Sequence, residues 1–201
     1  MSLLFVISAP SGSGKSTLVK MLLEADGGLD FAISCTTRAP RAGEKDGEHY
    51  HFVTRGQFAA MRDRGELLEW AEVFGHFYGT PRSALDQARQ RGRDLVLDID
   101  VQGAGQLKKQ LPEAVTVFIL PPSRKELEGR LRSRSLDDEA VIARRLRDAR
   151  REIQNYSVYD YIVVNDRLEQ AAMKLRGILL AERCRQQRAE PVVQPILKTF
   201  D

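Results

Sequence analysis

The residues with the clearest chemical meaning lie near the start of the chain, at positions 9–17. This segment, APSGSGKST, follows a short apolar run and leads into a stretch with apolar residues at helical spacing. Gly12 and Gly14 allow backbone N–H groups to turn around phosphate oxygens, and the start of a helix favours negative charge. Lys15 can reach the outer phosphates, and the Ser16 hydroxyl can bind Mg²⁺. The segment predicts a nucleoside triphosphate site made by Ser11, Gly12, Ser13, Gly14, Lys15, Ser16 and Thr17.

The elements that must hold this segment follow from the apolar pattern of the chain. Short runs rich in Val, Ile, Leu and Phe lack polar alternation, as do strands that are buried on both faces. Between several of these runs, apolar residues recur at helical spacing. Strands that alternate with helices predict an α/β fold, in which a parallel sheet is flanked by helices. The predicted strands are residues 3–7, 31–33, 95–97, 115–120 and 161–164.

Residues 36–81 interrupt this alternation and are dense in glycine, threonine, aromatic and charged residues. One short helix is expected there, because Thr54 and Gln57 have the spacing of a capping box and Phe58 can face inward. The pattern predicts an inserted small mixed α+β subdomain with its own short strands. Further along, the irregular residues 132–138 predict a mobile hinge or lid. The residues after position 187 predict a loosely structured tail.

Composition limits the classes of function. The chain has 201 residues, of which 42% are hydrophobic and 29% charged, so it can form a core and is not disordered or collagen-like. Cys35 and Cys184 have no disulfide or zinc spacing. The net charge of +3 does not favour nucleic acid, and no apolar run is long enough to cross a membrane. These features predict a cytoplasmic protein without nucleic-acid or membrane partners.

A series of motifs resembles the guanylate kinases and extends from residue 3 to about residue 187. The motifs are residues 34–44 (SCTTRAPRAGE), then Gly47, Tyr50, Phe52 and Glu69, then 78–80 (YGT), 97–103 (LDIDVQG), the arginines around positions 134 and 145, and 164–166 (VND). The resemblance implies a fold of the P-loop NTPase type and phosphoryl transfer from ATP to GMP, with Mg²⁺ bound to ATP. It also implies one domain, with a core of residues 1–34, 82–131 and 155–187, a GMP-binding subdomain (35–81), a lid (132–154) and a tail (188–201).

The residues of the inserted segment have the chemistry that GMP requires. Arg38 and Arg41 offer planar forks for a phosphate, and tyrosine hydroxyls can add donors. Glu69 can accept from the N1–H and N2–H groups of guanine, which adenine lacks. The resemblance implies a GMP site made by Ser34, Arg38, Arg41, Tyr50, Glu69, Tyr78, Thr80, Asp98 and Asp100.

Other residues have two possible roles. Asp98 could orient a Mg²⁺-bound water and Asp100 resembles a guanine-pocket contact, but both could simply cap the helix that follows. Asn165 and Asp166 resemble an ATP contact on the adenine side, and Asp166 equally fits a helix N-cap. The resemblance implies that charge on the transferred phosphoryl group is offset by the catalytic residues Lys15, Arg41, Arg134 and Arg145. Ser135 departs from the glycine that the family often has after the lid arginine.

Two rival functions remain open at this level. Guanylate kinase-like domains also occur as non-catalytic phosphopeptide-binding modules, although Lys15 and Ser16 are intact here. A kinase for another nucleoside monophosphate would keep the same fold and change only the acceptor. Binding of ATP would distinguish a kinase from the phosphopeptide-binding module. The effect of replacing Glu69 would distinguish a GMP kinase from a kinase for another nucleoside monophosphate.

Overall fold

A computed structural model of the protein describes residues 2–134 and 138–200. The strands are β1 Leu4–Ser8, β2 Leu29–Phe31, β3 Cys35–Thr36, β4 His51–Phe52, β5 Leu67–Val73, β6 His76–Pro81, β7 Asp94–Asp98, β8 Val115–Leu120 and β9 Tyr161–Val164. The helices are α1 Lys15–Ala25, α2 Arg55–Asp63, α3 Arg82–Gln90, α4 Val101–Gln110, α5 Arg124–Arg134, α6 Glu139–Ile153, α7 Leu168–Arg183 and α8 Gln186–Leu197, with a 3₁₀ turn at Tyr156–Val158.

The larger sheet has the strand order β2-β7-β1-β8-β9, and all of its pairings are parallel. Every residue of β1 is buried, because α1 and α7 cover one face of the sheet and α3 and α4 cover the other. Phe5 and Ile7 pack among residues of the first pair of helices, whereas Val6 packs among residues of the second. This confirms the predicted parallel sheet flanked by helices.

The smaller sheet has the order β4-β3-β6-β5 and joins parallel and antiparallel pairings. Its longest element is the antiparallel hairpin of β5 and β6. Helix α2 begins with the predicted capping box, since the Thr54 hydroxyl accepts from the Gln57 N–H and the Gln57 side chain accepts from the Thr54 N–H. Phe58 is buried against this sheet, and the capping-box prediction is confirmed.

Two local predictions for the C-terminal part of the chain are wrong. Residues 186–197 form helix α8 rather than a loose tail, although Pro191 and Pro195 lie within it. The helix forms despite the loss of a backbone N–H at each proline, and Arg188 attaches it to the core by donating to the Glu113 carbonyl at 3.2 Å. Asp166 does not cap α7, since Arg167 takes the N-cap position without a side-chain hydrogen bond. Within the described ranges, no helix is both long and apolar enough to cross a membrane.

Candidate functional site

Residues 9–14 join β1 to α1 in a tight loop beyond the end of the strand. Gly12 and Gly14 have positive φ values of 89° and 87°, which residues with a Cβ rarely adopt. A Cβ on Gly14 would also lie 2.4 Å from the side-chain nitrogen of Asn165. The Ser13 hydroxyl is buried and has no hydrogen-bond partner among the described residues. Because a buried polar atom normally has a partner, this hydroxyl favours a ligand in the loop.

Asn165 supports the loop from the neighbouring strand end. It is only 4% exposed, and its Nδ2 donates to the Ser13 carbonyl at 2.8 Å. The Arg130 guanidinium donates to the Asn165 carbonyl at 2.8 Å and so holds this support in place. The structure therefore places Asn165 against the loop backbone, whereas the neighbouring Asp166 is exposed.

Lys15 is the first residue of α1, and its ammonium group lies where β7 ends. It forms an ion pair with Asp98 and donates to the Ile99 carbonyl at 3.3 Å. The two paired side chains are 21% and 19% exposed, so the ion pair is partly open to solvent. Ligands of open α/β sheets bind at these carboxyl ends of the strands, and Lys15 is therefore placed to meet a nucleotide there.

Buried Glu69 and Thr80 and half-buried Ser34 form a polar chain across the smaller sheet. The Thr80 hydroxyl donates to Glu69 Oε1 at 2.6 Å and lies 3.4 Å from the Ser34 hydroxyl. Burial raises the pKa of the Glu69 carboxyl to about 7, against the lowering effect of the Thr80 bond, and the charge of Asp100 raises it further. A carboxylate buried in this way favours a ligand that brings N–H donors.

Arg38 is held between two tyrosines and a glutamate. Its Nε donates to the Tyr78 hydroxyl at 3.2 Å, and its guanidinium carbon lies 5.5 Å from the centre of the Tyr50 ring. A second guanidinium nitrogen donates to Glu44 at 2.8 Å, and this bond holds the pKa of the Glu44 carboxyl down to about 2. An isolated arginine in a turn is normally solvated, but Arg38 is held by these contacts, and Glu44 acts as its counter-ion in this structure.

A cavity of about 170 Å³ joins the loop side to the smaller sheet. Asp100 borders it and also caps α4, since its Oδ1 accepts from the Gly103 N–H at 2.8 Å. The position of Asp100 is thus compatible with both of its predicted roles. The residues that line the cavity are Lys15, Ser34, Tyr50, Glu69, Ala71, Val73, Tyr78, Asp98, Ile99 and Asp100.

Arg41 and Arg145 are not among the residues that line this cavity. Arg41 is exposed, and its backbone N–H donates to Glu44 at 2.8 Å. Arg145 is half-buried on α6. Arg134 is the last residue of α5, and both its side chain and Ser135 lie outside the described part of the chain.

Comparison with known proteins gives the family of this chain. The family profile described as guanylate kinase matches residues 1–182. The chain belongs to the guanylate kinase family. It is 60% identical over 185 residues to the guanylate kinase of Koribacter versatilis, covering 90% of this chain and 79% of the relative. With the guanylate kinase of Desulfitobacterium hafniense it shares 47% identity over 194 residues, covering 96% of this chain and 97% of the relative.

A solved structure agrees with this membership. The crystal structure of guanylate kinase from Anaplasma phagocytophilum matches with a TM-score of 0.78 and 37% sequence identity, covering 93% of this chain and 89% of that chain. The family resemblance that the motifs predicted is confirmed, and so is the fold class.

Sequence reasoning missed Glu152, which lies on α6. Burial raises the pKa of its carboxyl to about 7, while the positive charge of Lys15 lowers this pKa and the negative charge of Asp100 raises it. These influences place the inner face of α6 within electrostatic reach of the guanylate kinase cleft. The available signal was weak, because Glu152 follows Asp148 by four residues in a helix dominated by arginines.

Gly103 leaves room for the Glu69 carboxylate at the start of α4. An ideal Cβ at Gly103 would lie 2.1 Å from Glu69 Oε2, and Thr80 holds the other oxygen of that carboxylate. We expect Gly103→Ala to displace Glu69 and to raise the KM for GMP about tenfold, the loss expected for a weakened hydrogen bond to a charged group. Steady-state kinetics with GMP as the varied substrate measure this.

Gly105→Ala is the matched control on the same helix. A Cβ at Gly105 meets nothing within 4 Å, so this change should leave the KM for GMP unaltered. It should also stabilise the helix by roughly 0.5–1 kcal/mol, because alanine is the better helix former. An equal rise of KM in both variants would show that Gly103 acts through helix stability and not through contact with Glu69.

Proposed function

We propose that the cavity between the two sheets binds GMP, beside a phosphate-binding loop that holds ATP. The chain is an enzyme of the guanylate kinase family and transfers a phosphoryl group from ATP to GMP, giving ADP and GDP. The observation that carries the assignment of the site is the cavity lining. Lys15 and Asp98 of the loop side border the same space as Glu69 and Tyr78 of the smaller sheet.

The acceptor is selected by the hydrogen bonds it can make. Guanine presents N–H donors at N1 and N2, and the Glu69 carboxylate accepts from both. The Ser34 hydroxyl can donate to O6 of the base, and Thr80, whose hydroxyl hydrogen is given to Glu69, can serve the O6 side only by turning that hydrogen away from the carboxylate. Adenine has no N1–H and no 2-amino group, so it would leave the buried Glu69 with the Thr80 hydroxyl as its donor and none from the base, and it would be rejected.

The two phosphate groups are held by separate sets of donors. Backbone amides near Gly12 and Gly14, together with Lys15, bind the outer phosphates of ATP. Arg38, with the hydroxyls of Tyr50 and Tyr78, takes the GMP phosphate in exchange for its counter-ion Glu44. A phosphate oxygen of GMP then lies in line with the terminal phosphoryl group, and ADP leaves.

Charge on the transferred group must be offset while water is excluded. We assign this to Lys15 and to Arg41, Arg134 and Arg145. The exposed Ser16 hydroxyl would be an oxygen ligand of Mg²⁺, and the Asp98 carboxylate would orient a water bound to it. Mg²⁺ bound with ATP supplies further neutralisation of the phosphate oxygens. Asp98 also keeps the Lys15 ammonium at the end of the strand.

The division of the chain follows from these roles. Residues 1–34, 82–131 and 155–187 form the core, residues 35–81 form the GMP-binding subdomain and residues 132–154 form the lid. Asn165 acts on the ATP side by fixing the loop backbone, and Asp166 contributes to the adenine side. The cytoplasmic location and the lack of nucleic-acid and membrane partners stay predictions.

A coupled assay with MgATP and a panel of acceptors tests this function. We expect GDP to form from GMP, and turnover of AMP, dTMP and UMP to be lower by at least about 10²-fold, since a site built on buried hydrogen bonds rejects bases that cannot make them. AMP turnover equal to that of GMP would contradict the guanine pocket.

A further inference from the structure

The tip of the β5–β6 hairpin carries an aromatic residue in an unfavourable backbone conformation. Val73 pairs with His76, so Phe74 and Gly75 form a two-residue turn, with φ values of 52° and 80°. Such turns favour Asn-Gly or Asp-Gly, because both central residues need a positive φ. In the described part of the chain, Phe74 is the one residue other than glycine with a positive φ, and it is 63% exposed. Neither turn formation nor core packing explains a phenylalanine here.

The Phe74 ring makes its contact across the cleft. The guanidinium carbon of Arg144, on α6, lies 5.1 Å from the ring centre, within the range of a cation–π interaction. Arg144 is also 3.9 Å from the Asp148 carboxylate one turn further along α6. The hairpin tip and the lid helix are therefore joined by the Phe74–Arg144 contact.

The two elements that meet here carry opposite sides of the proposed site. Val73, next to Phe74, lines the cavity, and Glu69 lies on the same strand. Arg145 follows Arg144 on α6. The Phe74–Arg144 contact thus fixes the GMP-binding side of the cleft relative to α6. Helix α6 also carries Arg145, which is assigned to charge neutralisation.

We propose that Phe74 and Arg144 are positioning residues, which hold the hairpin against α6 so that Arg145 meets the phosphates and water is kept from the acceptor position. The inference rests on the proposed function and adds two residues that touch neither substrate. The strained turn supports it, because a backbone outlier persists where the side chain has a use that a relaxed residue would not supply.

Phe74→Asn separates this role from a structural one. Asparagine tolerates a positive φ, so the turn relaxes and the melting temperature should not fall, while the ring is lost. We expect kcat/KM for GMP to fall about 2–5-fold, the factor that an exposed cation–π contact supplies. The ratio of ATP hydrolysed to GDP formed should rise, because the cleft closes less tightly.

Three further variants complete the test. Arg144→Gln should reproduce both kinetic changes, and the double variant should be no worse than either single variant, since both remove one contact. Phe74→Trp keeps an aromatic face for Arg144 and should restore the parent values. Arg147 is an exposed arginine on the same helix, and Arg147→Gln should change neither kcat/KM for GMP nor the ratio of ATP hydrolysed to GDP formed.

Each alternative outcome has a defined meaning. Parent-like kinetics in Phe74→Asn, or effects of Phe74→Asn and Arg144→Gln that multiply in the double variant, would overturn the positioning role while leaving the proposed function intact. A parent protein that forms no GDP from GMP would overturn the proposed function itself, and this inference with it. The two failures are distinguishable because the first is seen in a variant-to-parent ratio and the second in the parent alone.

Discussion

Replacing Lys15 by methionine should lower kcat about 10²–10³-fold, the loss expected when one group that stabilises transition-state charge is removed. The methionine keeps most of the length of the side chain and removes its charge. Lys15 pairs with Asp98 in the structure, so the variant also leaves that carboxylate without its cation. Solvent reaches both groups, and the free energy of unfolding should fall by only about 1 kcal/mol.

The measurement is a coupled assay at saturating MgATP and GMP, with thermal unfolding recorded on the same samples. Lys20→Met is the matched control, because Lys20 lies on the same helix with its side chain 76% exposed and a distant partner, Glu24, at 3.8 Å. Its kcat should equal that of the parent. A Lys15→Met enzyme with nearly full kcat would mean that the loop binds something other than the reacting phosphates.

The regular elements could be predicted where local sequence and tertiary packing agree. The runs at 115–120 and 161–164 become β8 and β9 with the predicted bounds. β8 is a buried inner strand, for which an apolar run is expected, whereas β9 lies at the edge of the sheet and leaves Ile162 and Val164 exposed. β2 covers Leu29–Phe31 instead of 31–33, because its pairing with β7 sets its register and the apolar run alone does not. Helix α8 could not be predicted from local sequence, because two prolines within twelve residues normally indicate that a segment is not helical.

The sequence predicts which types of residue form the site better than it predicts the contacts between them. The glycines, Lys15 and Glu69 are visible from motif spacing, and the cavity brings together residues that are up to 85 positions apart, as Lys15 and Asp100 are. The counter-ion role of Glu44 could not be predicted, since a glutamate in an exposed turn normally has no fixed partner. The same holds for Phe74 and Arg144, whose contact depends on how two separate elements meet.

Replacing Glu69 by glutamine should lower kcat/KM for GMP about 10²-fold, because an amide presents one acceptor and an opposing N–H₂ group to the two donors of guanine. The loss should appear mainly in the KM for GMP, and the KM for ATP should stay unchanged. Glu72→Gln on the same strand is the control, since Glu72 is exposed and should leave both constants unaltered. Unchanged GMP kinetics in Glu69→Gln would show that the guanine pocket lies elsewhere.

The Glu69→Gln variant should be more stable than the parent at pH 8, although it is less active. The folded protein raises the pKa of Glu69 from 4.5 to about 7, so it binds the proton more tightly than the unfolded chain does. The contribution of Glu69 to stability therefore falls as the pH rises from about 4.5 through 7, by up to about 3 kcal/mol. Glutamine removes this loss, and the variant should unfold at a higher temperature than the parent at pH 8, with the difference shrinking toward pH 5.

In the parent, the KM for GMP should rise as the pH falls from 8 to 6 and Glu69 gains its proton. The ratio of variant to parent KM, which cancels the titration of the GMP phosphate, should fall over the same interval, whereas a pH-independent ratio would contradict a role for the ionised carboxylate in binding.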